Sequence, residues 1–192
     1  MTIFLILAPY GAFATLMLVA STTISLAAAA AVSLATVVLD LVRGRSIKLL
    51  PSASAVVFAG VAVYLNLVDP AFVGSKAKLA VDTGIFVISL GSMLIRHPFT
   101  LQYALESVPP ETAAMPGFLR ANYIITSVWT AAALLMMVSN MAVLYVPGLP
   151  IWLSLAVAFA ARNSAVVFTK WYPQYRRLKL GVPPSNALPQ AR

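Results

Sequence analysis

The sequence predicts an all-α, polytopic membrane protein: a bundle of about six transmembrane helices with a short amphipathic segment in the interface between the fourth and fifth. Three observations predict it. Of 192 residues, 61%, about 117, are hydrophobic, against roughly 45–50% in a soluble domain. Only 9% are charged, against about 25% in such a domain. A water-soluble fold of this length cannot hide that much apolar surface. A spanning helix takes about 20 apolar residues, so bulk composition allows five or six spans. The third observation is that the basic residues cluster at the ends of the apolar runs.

The first run covers residues 2–20 and contains Pro9; no Lys or Arg precedes Arg43. A secretory signal would carry positive charge ahead of its apolar stretch, so a retained span is expected. The second run, 24–42, is rich in alanine, and Ala27, Ala31 and Ala35 form a small-residue ridge expected to pack closely on a neighbour. The basic loop Arg43–Lys48 leads to the third run, 49–68, with Pro51 in its first turn, where the missing N–H costs least. Asp69-Pro70 and Gly74 break the chain before the fourth run, 79–95. Pro98 can open a short helix in which Leu101, Leu105 and Val108 recur at helical spacing, an amphipathic pattern suited to the interface. Arg96, His97, Pro98, Phe99, Leu101, Tyr103 and Leu105 are its candidate contact residues. Runs five and six cover 123–146 and 151–169, separated by Pro147-Gly148-Leu149-Pro150. The expected organisation is one transmembrane domain, 1–170, and a basic, Pro-rich tail, 171–192.

Six spans place Arg43, Arg45, Lys48, Arg96, Arg120, Lys170, Arg176, Arg177, Lys179 and Arg192 on one side, and Lys76 and Lys78 on the other. Positive loops stay in the cytoplasm. Both termini are therefore expected inside. The net charge of +8 reads as topology and attraction to anionic headgroups, and nucleic acid is not an expected partner.

The thirteenth basic residue, Arg162, lies within run six, and a charge there is costly unless paired or hydrated. Asp40, about one turn from the same end of run two, is its expected partner; Asp82 enters from the opposite side. The pair reads either as a structural pin or as a substrate, headgroup or proton site. Asn163, Asn140, Asn66 and Asp82 are the other intramembrane polar residues, with Asp82 expected to balance Lys76 and Lys78. No cysteine is present and His97 is the sole histidine, so thiolate or multi-histidine metal sites are excluded within one chain. No phosphate-binding loop, nucleophile elbow or zinc motif appears. No cofactor, metal or catalytic set is expected, and the chain reads as non-enzymatic.

The order of several features resembles the bacterial intracellular septation protein A family. The segments are Phe4-Leu5 to Ala8-Pro9, the Ala-rich span ending Arg43-Gly44-Arg45, and Phe72-Val73-Gly74-Ser75-Lys76. They continue with Leu90-Gly91-Ser92 before Arg96-His97-Pro98, and with Asn122, Trp129, Ser139-Asn140 and Tyr145. The Phe99–Gly117 connection is longer than in that family, and Arg162 lies in a run after Pro150. The resemblance implies an inner-membrane role in division or envelope maintenance, through contacts with division or wall-synthesis membrane proteins. A second copy of the chain is a further expected partner. The alternative expectation is a small transporter or channel with a polar path near Arg162 and Asp40.

Overall fold

The computed structural model describes residues 2–179, with backbone alone for 2–7 and 151. The described residues fold into eight helices and no strand: α1 (Thr2–Leu16), α2 (Thr22–Val42), α3 (Leu49–Leu67), α4 (Ser75–Leu94), α5 (Phe99–Leu105), α6 (Pro110–Ala113), α7 (Phe118–Tyr145) and α8 (Ile151–Lys179). Five of them, α2, α3, α4, α7 and α8, are long and apolar enough to cross a membrane. The first apolar run is shorter as a helix than as a stretch of sequence. α1 holds 15 residues, below the roughly 17–25 a crossing takes, because the chain turns from Met17 into the Ser21 cap.

Helix boundaries depart from the hydropathy runs where backbone geometry sets them. α4 starts at Ser75 and α7 at Phe118, each directly after a glycine with positive φ (Gly74, +59°; Gly117, +87°). The polar first turns, with Lys76 and Lys78 in α4 and Arg120 and Asn122 in α7, are helical although they carry no hydropathy signal. The tail expected from residue 171 is likewise helical as far as Lys179. Two stacked aromatic pairs at i, i+4 carry α8 past Pro173: Phe168–Tyr172 and Trp171–Tyr175, each with ring centroids 5.1 Å apart. The rest of the expected tail, 180–192, lies outside the described residues.

Long-range hydrogen bonds fix which loops share an end. At one end Gln102 Oε1 accepts from Leu49 N (2.8 Å), Thr100 Oγ1 meets Thr126 Oγ1 (2.7 Å), and Arg176 Nη1 donates to Gly117 O (2.6 Å). Loop 43–48, α5, the start of α7 and the close of α8 thus lie together, and we call this the basic end. At the other end Gly74 N donates to Thr22 Oγ1 (3.3 Å).

α2 packs against α1 and α3, α4 against α3 and α7, and α8 against α7. One core layer gathers Tyr10, Phe13, Leu26, Phe58, Leu65 and Val81. A second, between α7 and α8, is built from Ala132, Ala133, Met136, Ala161 and Ala165, small residues that let helices approach closely. α2 buries Ser25, Ala29, Ser33 and Thr36. The alanine ridge expected to pack, Ala27, Ala31 and Ala35, is exposed. Both faces carry small residues at a spacing of four, but only one carries hydroxyls, which hydrocarbon cannot satisfy. Between α3 and α4 the Val57 side chain packs directly on Gly84: a Cβ there would lie 2.7 Å from Val57 Cγ1.

Candidate functional site

Two polar clusters occupy the bundle. The first lies between α4, α7 and α8. Lys78 and Asp82 are one helical turn apart on α4 and form an ion pair at 3.8 Å. Asn140, fully buried on α7, joins both. Its Oδ1 accepts from Lys78 Nζ at 2.6 Å, and its Nδ2 donates to Asp82 Oδ2. The flanking charges fix the amide orientation, with the carbonyl toward the cation and the amino group toward the anion.

Arg162 lies eleven residues past Ile151 on α8, about 16 Å along the axis. Its guanidinium sits 5.8 Å over the Tyr10 ring, and its Nη2 approaches Met136 Sδ at 3.8 Å. Asp82 is the carboxylate that acts on it through space, without an ion-pair contact. Tyr10 hydrogen-bonds Ser54 of α3, and Ser54 in turn donates to Leu50 O, so the shared proton in the first bond comes from Tyr10. The row Lys78, Asp82–Asn140, Arg162, Tyr10, Ser54 therefore runs from near the Gly74 end into the bundle.

The second cluster closes the basic end. Lys48, only 2% exposed, lies between Asp40 (2.9 Å) and Glu106 (3.0 Å), and its ammonium sits 5.5 Å over the Tyr103 ring. Ser46 Oγ donates to Glu106 Oε1 at 2.9 Å. Burial pushes the Glu106 carboxyl up, but the Lys48 ammonium and the Ser46 hydroxyl outweigh it and hold the group below the ordinary glutamate range. Burial, followed by the Asp40 carboxylate, drives the Tyr103 hydroxyl well above its usual range. That hydroxyl is buried without a hydrogen-bond partner.

The structure does not bring Arg162 and Asp40 together. α2 packs on α1 and α3 while α8 packs on α7, and Lys48, a few residues beyond Asp40, takes its carboxylate. Asp82 stands nearer Arg162, and the expected separation by side does not hold, because α4 and α8 both start from the Gly74 end. Asp82 lies seven residues past Ser75, about 10 Å along the axis, so the two depths differ by less than one extended arginine side chain. Asn66 and Asn163 are exposed and turn back on their own helices, to Ala62 O (2.7 Å) and Phe159 O (2.8 Å).

In the interfacial segment the anchoring residues are Phe99 and Tyr103, packed with Leu50, while Leu101 is half-buried and Leu105 exposed. The expected phase, Leu101–Leu105–Val108, fails because α5 ends at Leu105 and the Gln102 cap on α3 fixes its rotation. Pro98 is buried beside it, and Arg96 and His97 are exposed. Tyr10, Ser54 and Met136 are site residues that sequence reasoning missed; each sits in an apolar run without a local signal. Lys78 at i, i+4 from Asp82 is the one member whose spacing could have pointed to the site.

No family model, no curated protein and no solved structure matches this chain.

Proposed function

We propose that the chain is a non-catalytic integral membrane protein of the septation type. It sits in a bacterial inner membrane with six crossings, α1 being the first, and with the basic end and both termini in the cytoplasm. It works in envelope maintenance or division, through contacts made by its helices and basic-end loops with division or wall-synthesis membrane proteins and with anionic headgroups. The observation that carries the reading is the bracing of the basic end. Lys48, Gln102 and Arg176 tie loop 43–48, α5 and the start of α7 into one surface, and Arg43, Arg45, Arg96, His97 and Arg120 stand exposed on it. Positive loops mark the cytoplasmic side, and a preorganised surface loses less freedom on binding.

The test is affinity capture from solubilised membranes with the intact chain and with Arg43, Arg45 and Arg96 each changed to Ser. Loss of identified division or wall-synthesis proteins from the variant is the expected result. Retention of every partner would contradict the surface assignment.

A second reading, a small transporter or channel, is favoured by the polar row from Lys78 through Arg162 to Ser54. Intramembrane ionisable residues mark pathways. Flux through reconstituted vesicles should then fall in Arg162→Leu, and unchanged flux would remove this reading.

A further inference from the structure

We infer that Arg162 and Lys78 form a binding site for an oxyanion, a carboxylate or phosphate group that enters from the Gly74 end of the bundle.

The cluster holds two cations and one carboxylate, Lys78, Arg162 and Asp82, a formal charge of +1 inside the membrane-spanning part of the fold. The single carboxylate is already engaged by Lys78 at 3.8 Å and by the Asn140 amino group. Among the described residues Arg162 has the Met136 sulfur and the Tyr10 ring face as its polar and ring contacts. Among the described residues no oxygen accepts a hydrogen bond from its guanidinium. An arginine offers five N–H donors in a planar fork that matches a carboxylate or phosphate edge. Sulfur and a ring face are both weak acceptors, so the donor set lacks a strong acceptor where that is costly.

Access follows from placement. Lys78 is in the first turn of α4 and its side chain keeps 16% of its surface exposed; Arg162 is half-buried. Both cations thus keep accessible surface, Lys78 at the Gly74 end and Arg162 deeper in the bundle. Tyr10, fixed by its bond to Ser54, forms the floor. Asp82 restrains binding by its own negative charge, which makes the sign of its removal diagnostic. The phosphate chemistry can come from a free anion or from a lipid headgroup. The inference requires neither the cytoplasmic contacts nor flux.

The full chain in phosphatidylcholine nanodiscs is titrated with sodium phosphate and sodium acetate at constant ionic strength, following its thermal unfolding. In a parallel arm, phosphatidylglycerol replaces part of the phosphatidylcholine and no phosphate is added. Stabilisation in the first arm identifies a free anion, and stabilisation in the second alone identifies a headgroup. In whichever arm responds, Arg162→Leu should abolish the shift. Arg162→Lys, which keeps the charge without the fork, should weaken binding, and Asp82→Asn should tighten it about tenfold or more. If Arg162→Leu does not fold, Arg162→Lys and Asp82→Asn decide. Stabilisation in neither arm, an equal shift in the Arg162 variants, or weaker binding in Asp82→Asn would overturn the site.

Discussion

The Lys48 ammonium at the start of α3 lies 3.0 Å from the Glu106 carboxylate that closes α5, while Asp40 at the end of α2 meets the same nitrogen at 2.9 Å. Three helices thus share one buried cation. Removing it leaves two carboxylates facing each other, both with access to water, and losing hydrogen bonds to a charged group costs about 1.5–3 kcal/mol. Lys48→Met is expected to lower unfolding stability in bicelles by an amount of that order and to raise hydrogen exchange in α5. Exchange in α5 of Lys48→Met unchanged from the wild type would refute the brace.

The same cluster predicts acid sensitivity. Glu106 is held below its ordinary value of 4.5 in the fold. A carboxylate depressed in this way contributes stability that is full above its unfolded value and is lost as pH falls through the folded one. Lys48, Asp40 and Tyr103 are the titratable groups around it. Exchange protection of α5 should therefore hold from neutral pH down to about 4.5 and decline below that, and Glu106→Gln should flatten the decline.

Two helix ends make opposite predictions. α2 closes with Gly44 at φ +65°, its N–H bonded to Leu41 O and that of Arg45 to Asp40 O. α4 closes with the same bond pattern around Arg96 at φ +60°, where a side chain costs about 1–2 kcal/mol. Gly44→Ala should destabilise by about 1 kcal/mol, and Arg96→Gly should stabilise by a similar amount. Chemical unfolding in mixed micelles reads both.

The wiring of Arg162 can be checked without a ligand. In a double-mutant cycle of unfolding free energies, Arg162→Leu with Asp40→Asn should be additive within about 0.5 kcal/mol. Arg162→Leu with Asp82→Asn should couple by more than that.

The apolar runs and the basic clusters between them were legible because hydrocarbon selects composition over about 20 residues. The side of each helix that packs was not. Ala27, Ala31 and Ala35 and their buried counterparts Ser25, Ala29 and Ser33 share one spacing. The choice rests on which face α1 and α3 cover, a tertiary property. Matching Asp40 to Arg162 by depth failed because depth says nothing of which helices adjoin, and a nearer cation lay in the loop beside Asp40. Tyr10 carried no signal because its role arises only where α1, α3 and α8 meet.

Photo-crosslinking in living cells tests whether the braced basic end is a cytoplasmic contact surface. A crosslinking residue replaces the exposed Arg45, with and without Lys48→Met, and adducts are identified by mass spectrometry. Adducts with division or wall-synthesis membrane proteins are expected, and they should disappear in the Lys48→Met background at equal protein level. Adducts that persist undiminished without Lys48, or labelling from Arg45 by an impermeant reagent added outside the cell, would contradict it.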